Sequence, residues 1–324
     1  MVLKKQEKLR NSQRDNLFYI FFERFFKKGD ELAISWNNMN DYIILADSTS
    51  DLPLEFIKKF DVEVLPMKIT IDGKNYSDSE IELNDFYEKI KNRVSTSTSQ
   101  INPGEFEEYF EKYLRNGKDI LYVCFSSGLS GTYNSACIAA KCLMQKYTDR
   151  KIIVVDSLSA TCGEIILIDM LVKKKQSGCS IEELENFANR IKMKICHWAV
   201  VDDLYHLQRG GRIGKTAAVV GSMMNIKPII KMDSNGKLIL FGKSRGRQKA
   251  IDVIVSKLVE FGENLESQTI YICHTGCEEE AEKLSERLFN EFSIKNTVIV
   301  PIGATISSHL GTGALALIFL GKER

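Results

Sequence analysis

From Asp41 onward the chain alternates short β-rich apolar runs with stretches of helical length, and that order constrains the fold more than any compositional figure. Tyr42–Ala46 (YIILA), Ile120–Phe125 (ILYVCF) and Ile152–Asp156 (IIVVD) are almost continuously apolar, as strands covered on both faces are. Leu54–Phe60, Asp85–Lys91, Pro103–Leu114, Tyr133–Tyr147, Gly163–Lys174 and Ile181–Arg190 read as helices. Val62–Ile71 reads as a second strand segment closed by the turn Asp72-Gly73. Strands separated by helices of this length predict a parallel sheet flanked by helices.

The second half has a different rhythm. His197–Val201, Ile229–Met232 and Lys237–Phe241 read as strands, the last two forming a hairpin around Ser234-Asn235-Gly236. A helix at Gln248–Phe261 follows, then a strand at Thr269–Cys273, a helix at Glu278–Phe289, and strands at Asn296–Val300 and Gly313–Phe319. We therefore expect a two-lobed α/β chain: a parallel first lobe over residues 41–193 and a more mixed α/β lobe over 194–324. Residues 1–40 stand apart. Their apolar stretch Leu17–Phe22 is interrupted by Glu23 and Arg24, is too short to span a bilayer and lacks a small-residue cleavage site. They read as a disordered extension or a mis-start, with Met39 as the true beginning. The rival reading is an aromatic amphipathic helix lying on a partner or a membrane surface.

Charge excludes one class of function and localises another. Forty-four Lys+Arg against 43 Asp+Glu give +1 over 324 residues, which argues against a general polyanion binder. The balance hides an asymmetry, because Leu204–Ile251 holds ten Lys/Arg and a single acid, Asp233. That region is +9 and the remainder −8. It carries Arg209, Arg212, Arg245 and Arg247, and the apolar residues threaded through it (Ala217–Val220, Met223-Met224) read either as core, the favoured reading for each singly, or as the floor of an elongated greasy pocket. Eight cysteines without a Cys-x-x-Cys pair, most of them among apolar neighbours, fit reduced thiols in the cytosol. No metal site is expected.

Parallel sheets place their functional loops at the carboxyl ends of strands. Three loops here are crowded with hydroxyls: Asp47–Asp51, Ser95–Gln100 and Ser126–Thr132. The third runs from a strand into a helix, where glycines permit tight geometry and free N–H groups favour an anion. One or two hydroxyls are explained by helix capping; three such loops point to an anion or carboxylate site. Gly128-Leu129-Ser130-Gly131 misses the nucleophile-elbow frame by one residue. Gly311-Thr312-Gly313-Ala314-Leu315-Ala316 fits a dinucleotide fingerprint in form but has no room for the helix and strand that must follow. No Gly-x-x-x-x-Gly-Lys-[Ser/Thr] loop offers a nucleotide cradle. His309, in a loop between strands, is a candidate ligand contact, whereas His197, His206 and His274 are taken as structural.

In order along the chain, these residues resemble the DegV family of fatty-acid-binding proteins. The matching pieces are Asp47-Ser48-Thr49-Ser50-Asp51-Leu52, Thr98-Ser99-Gln100 with Pro103, and Ser126 to Tyr133. Val201-Asp202-Asp203-Leu204 with Leu207 to Ile213, Asn225-Ile226-Lys227-Pro228, Lys243 to Arg247 and His309-Leu310-Gly311-Thr312-Gly313 complete the set, which spans about residues 42–322. Where the family commonly has Ser-Gln-Pro, this chain has Ser99-Gln100-Ile101 with Pro103 later, which puts the bend of that loop in question.

The resemblance implies two lobes enclosing a long-chain, palmitate-like fatty acid, with Thr98 and Ser130 bonded to its carboxylate and His309 nearby. It further implies a non-catalytic, acyl-carrying subunit that presents the carboxylate to a separate fatty-acid kinase, which forms an acyl-phosphate for phospholipid synthesis. Arg209, Arg212, Arg245 and Arg247 are then candidates for contact with the partner or with phosphate. The expected location is the cytoplasm, with no cofactor, no nucleic acid and transient membrane contact at most. Two rivals stand beside this: a serine esterase or thioesterase using Ser130 and His309, and a nucleic-acid-binding regulator using Leu204–Ile251.

Overall fold

The computed structural model describes residues 42–214 and 225–324. The expectations for residues 1–40, and for Ala217–Val220 and Met223-Met224 as a pocket floor, lie outside the described residues.

The first lobe is built on four parallel strands in the order β2 (Val62–Leu65), β1 (Tyr42–Asp47), β6 (Asp119–Cys124), β7 (Ile152–Asp156). All six residues of β1 are buried, as the unbroken apolar run requires for a central strand. Helices α1 (Leu54–Phe60), α3 (Pro103–Leu114), α4 (Thr132–Lys146), α5 (Cys162–Gln176) and α6 (Ile181–Ile191) connect or flank these strands. The chain starts α3 where its sequence says it should: Pro103 takes the first turn, and Asn102 and Glu105 cap each other reciprocally. The displaced proline thus opens a helix, and Ile101 is buried in front of it.

Two local expectations need correction. Val62–Ile71 is not one strand. It breaks at Pro66 into β2 and β3 (Lys68–Ile71), and β3 joins a separate antiparallel sheet, β4 (Lys74–Ser77)–β3–β5 (Thr96–Ser99). The polar run read as a loop is therefore partly β5, because Thr and Ser alternate well on a pleat when a hydrophobic strand pairs with them. Thr98 lies opposite the fully buried Ile69 and Thr96 opposite Ile71. Between β4 and β5, α2 (Leu83–Lys91) packs Phe86 and Ile90 against Ile69 and Ile71.

The second lobe holds a six-stranded mixed sheet: β10 (Leu238–Arg245), β9 (Ile226–Met232), β8 (Ile195–Val200), β13 (Leu315–Leu320), β11 (Ile270–His274), β12 (Thr297–Pro301). Its period of two divides its side chains between two environments. Cys196, Trp198 and Val200 of β8, with Leu315, Leu317 and Phe319 of β13, face a core shared with α8 (Arg247–Phe261) and α9 (Glu278–Phe292). His197, Ala199, Ala316 and Ile318 face the opposite way and line a cavity. Short helices α7 (Tyr205–Arg209) and α10 (Ala304–Leu310) complete the lobe.

His309 is thus on α10 rather than in a loop. Its sequence, Ala-Thr-Ile-Ser-Ser-His-Leu, disguises a helix because its hydroxyls bond locally: Ser307 donates to the Ile302 carbonyl and Ser308 to that of Thr305. Gly311, with φ of 77°, ends the helix.

Candidate functional site

A cavity of about 440 Å³ lies between the two lobes. Its walls are largely apolar: Met67, Phe125, Leu129 and Ala160 from the first lobe, and Ala199, Ile230, Met232, Leu238, Ile302, Ala316 and Ile318 from the second. Part of the lining is polar, with Thr98 and Ser99 of β5, Gln100 just after it, Ser130 and Gly131 before α4, His309 of α10, and Arg212. A largely apolar space with a few convergent polar groups is the usual form of a site for an amphipathic ligand.

Thr98 Oγ1 and His309 Nε2 are 2.7 Å apart, joining strand and helix from opposite lobes. Burial first, then the charges of Arg212 and Arg209, hold the imidazole down at about 4, so it is neutral near pH 7. Ser130 Oγ lies 2.8 Å from Thr132 Oγ1 and accepts from the Thr132 N–H at 3.2 Å, at the mouth of a fifteen-residue helix whose first N–H groups favour an anion. At Gly131 the Gln100 amide packs where a Cβ would lie, so a larger residue would push that side chain aside. The structure brings Thr98, Ser130 and His309 together in the lining of one cavity.

The four arginines separate. Arg212 lines the cavity and donates to the Leu129 carbonyl at 3.1 Å. Arg209, outside it, donates to the Thr96 carbonyl and hydroxyl. Arg245 is exposed at the end of β10, and Arg247 is engaged by Glu280 at 2.7 Å and Asp202 at 3.7 Å.

The first hydroxyl loop does not line the cavity; it folds inward. Asp47 is fully buried, its Oδ2 accepting from Tyr122 Oη at 2.7 Å and from the Phe125 N–H at 3.0 Å, while Oδ1 accepts from the Thr49 N–H and hydroxyl. Thr49 Oγ1 is also 3.0 Å from Glu164 Oε1. A hydroxyl carries one hydrogen, so contact with both carboxyls requires a proton on one of them. Glu164 holds it, since burial pushes that group well up. Nearby, Asp51 accepts from the Gly303 N–H at 3.0 Å and Asp78 from the Thr305 hydroxyl at 2.7 Å, so two acids of the first lobe clasp the start of α10.

This burial has a measurable consequence. Asp51 is pushed from its ordinary 3.8 up to about 8 by desolvation, so between those values the native state binds more protons than the unfolded chain and stability declines as pH rises. His309 and His197, held at about 4 and about 3, act oppositely, withdrawing stability as pH falls below their ordinary 6.5. Between about pH 7.5 and 8 the histidines are almost wholly neutral in both states and the buried carboxyls set the slope. Urea denaturation across that window should show falling stability, and Asp51→Asn should flatten the fall. An unchanged slope in the variant removes Asp51 as its source.

The geometry gives esterase chemistry no support. His309 meets a threonine and is flanked by arginines, and among the described residues no carboxylate is bonded to it. Among the described residues, too, no group of three or more His, Cys, Asp or Glu is placed to hold a metal ion, and no helix is long and apolar enough to cross a membrane.

Comparison with known proteins agrees with this architecture. Residues 42–322 match a family model described as "Uncharacterised protein, DegV family". A DegV domain-containing protein of Clostridium perfringens is 41% identical over 289 residues, covering 88% of this chain and 99% of the relative. The crystal structure of DegV from Bacillus subtilis, a fatty acid binding protein, superposes with a TM-score of 0.76 at 29% identity, covering 88% of this chain and 100% of that one. A stearic-acid-binding protein from Eubacterium ventriosum gives 0.78 at 26% identity, over 87% and 98% of the two chains. With the family pattern matched from the first strand of one lobe to the last strand of the other, this chain belongs to the DegV family.

Proposed function

We propose that the cavity between lobes 41–193 and 194–324 holds a long-chain, palmitate-like fatty acid whose carboxylate is received by Thr98 and Ser130. The carrying observation is the chemistry of one space: a largely apolar cavity whose lining also holds Thr98, Ser130 and His309, the first and last in hydrogen-bond contact. With its proton on Nε2, His309 donates to Thr98 Oγ1 and leaves the threonine hydrogen for the carboxylate, and Arg212 adds positive charge beside it. A tail of on the order of fifteen methylenes at about 0.8 kcal/mol each supplies most of the binding, so the hydroxyls orient more than they attract. Binding of fatty acids by relatives of similar fold supports the reading.

We further propose that this protein, itself without catalysis, presents the carboxylate to a separate ATP-dependent kinase, with Arg209 and Arg212 beside the reacting group and Arg245 and Arg247 toward the partner. The eight free cysteines fit a cytoplasmic setting, and membrane contact would be transient.

Denaturing mass spectrometry of the purified protein should release a saturated fatty acid of about sixteen to eighteen carbons; finding none, with no uptake of added palmitate, overturns the binding reading. Ser130→Ala should weaken palmitate binding by about tenfold, the equivalent of about 1.4 kcal/mol for one bond to a charged group. With a cognate kinase it should lower acyl-phosphate formation further. Unchanged turnover takes Ser130 out of the site.

A further inference from the structure

Away from the polar part of the lining, one side chain helps to secure the cavity wall. The register pairs Leu315 with Val200 and Ile318 with His197. His309 and Leu310 enter β13 from its Leu315 end, so Ile318 and His197 lie about 10 Å further along, at roughly 3.4 Å per residue. There the wall is finished by Ala160 and Thr161, from the loop Ser157–Thr161 between β7 and α5.

That loop is held in an unusual conformation. Leu158 has φ of 50° and Thr161 φ of 48°, in the left-handed region that a β-branched residue resists. The Ser126 N–H bonds the Ser159 carbonyl at 3.0 Å and the Thr161 N–H bonds the Thr49 carbonyl at 2.8 Å, and Arg324 adds the ties to the second lobe. Its guanidinium donates to the Leu158 carbonyl at 2.6 Å and Ser159 Oγ at 3.2 Å in the loop. The same group donates to Lys192 and Ile195 carbonyls at 2.9 Å each, where the chain passes between lobes, and to the Asp233 carbonyl at 3.4 Å in the β9–β10 turn. All five acceptors are neutral, a fork spread over three segments. Burial draws the guanidinium down to about 10, which leaves it charged at neutral pH.

We propose that the Ser157–Thr161 loop, clamped by Arg324, is the ruler that sets the length of acyl chain the cavity accepts. This rests on the fatty-acid reading above. The small side chain of Ala160 leaves room for the chain terminus, and Arg324 keeps the strained loop from yielding to a longer one. Arg324 touches no ligand; it is a positioning residue.

The test is the ratio of dissociation constants for C20 and C16 saturated acids, measured by titration on the full chain. General destabilisation weakens both acids alike and leaves that ratio in place. Arg324→Ala should lower the C20:C16 ratio at least fivefold, by releasing the loop, with Arg324→Lys intermediate. Ala160→Leu should raise it at least fivefold. Should Arg324→Ala not fold, Ala160→Leu and Arg324→Lys decide the matter. Ratios within twofold of the unsubstituted protein in the folded variants overturn the ruler. Failure of the unsubstituted protein to bind any chain length overturns the fatty-acid reading instead.

Discussion

Asp47→Ala is expected to lower unfolding free energy by on the order of 4 kcal/mol, enough to take a large part of a typical domain's stability. The carboxylate sits at the end of β1 with no exposed surface and is the acceptor for Tyr122 Oη, the Phe125 N–H, and both donors of Thr49. Truncation orphans them all in a space too well packed to hydrate freely, and each buried donor left unpaired costs about 1–3 kcal/mol. Asparagine offers little relief. Its amide places an NH₂ toward either the Thr49 or the Phe125 backbone N–H, and neither of those donors can turn into an acceptor. Urea unfolding followed by circular dichroism should therefore show both variants strongly destabilised. Asp47→Asn within about 0.5 kcal/mol of the parent would refute this account.

Gly128→Ala is expected to damage binding and stability together. A Cβ there would lie 2.5 Å from the Asn235 and Gly236 carbonyl oxygens and 2.6 Å from the Gly236 carbonyl carbon, all backbone atoms that cannot rotate aside. The β9–β10 turn must lift away, breaking the 2.7 Å bond from Ser126 Oγ to the Gly236 carbonyl. That turn joins the strands carrying Ile230, Met232 and Leu238, which face Phe125 and Leu129 across the cavity. Overpacking of this kind costs about 1–3 kcal/mol, and separated walls should reduce palmitate affinity at least tenfold. Gly242→Ala, on the same hairpin, meets nothing within 4 Å and serves as the control. Equal titration curves for the two variants would show that the contact between turn and loop does not shape the cavity.

The central strands and most helices were legible because their signals are local. Unbroken apolar runs mark β1, β6 and β7, and a capping box with proline marks α3. The hydroxyl-rich runs that hold Thr98 and Ser130 were legible too, and the family resemblance singled out those two. What stayed hidden depends on distant partners. β5 is a strand because Ile69 and Ile71 pair with it, and its own Thr-Ser-Thr-Ser carries no apolar face. The Asp47 loop has the composition of a carboxylate receptor. Instead it provides the carboxylate, whose donor Tyr122 lies 75 residues away. Arg324 carries no pattern at all, for its acceptors are backbone carbonyls that any sequence would supply. Arg212 had been grouped with its basic neighbours by charge alone, and only folding turns it into the cavity.

The clasp on α10 bears on how this chain can be divided. Asp51 and Asp78 hold the Gly303 N–H and the Thr305 hydroxyl, and Tyr87 donates to the Ile302 carbonyl at 2.6 Å, across 215 positions of sequence. The helix that carries His309 thus takes its footing from the other half of the polypeptide. Fragments 41–193 and 194–324 produced separately would each expose an unfinished face, with carboxyls lacking donors on one piece and an untethered α10 on the other. Mixed together, they have the complementary surfaces of a split protein, and recovery of ligand capture would report the moment at which the halves find each other.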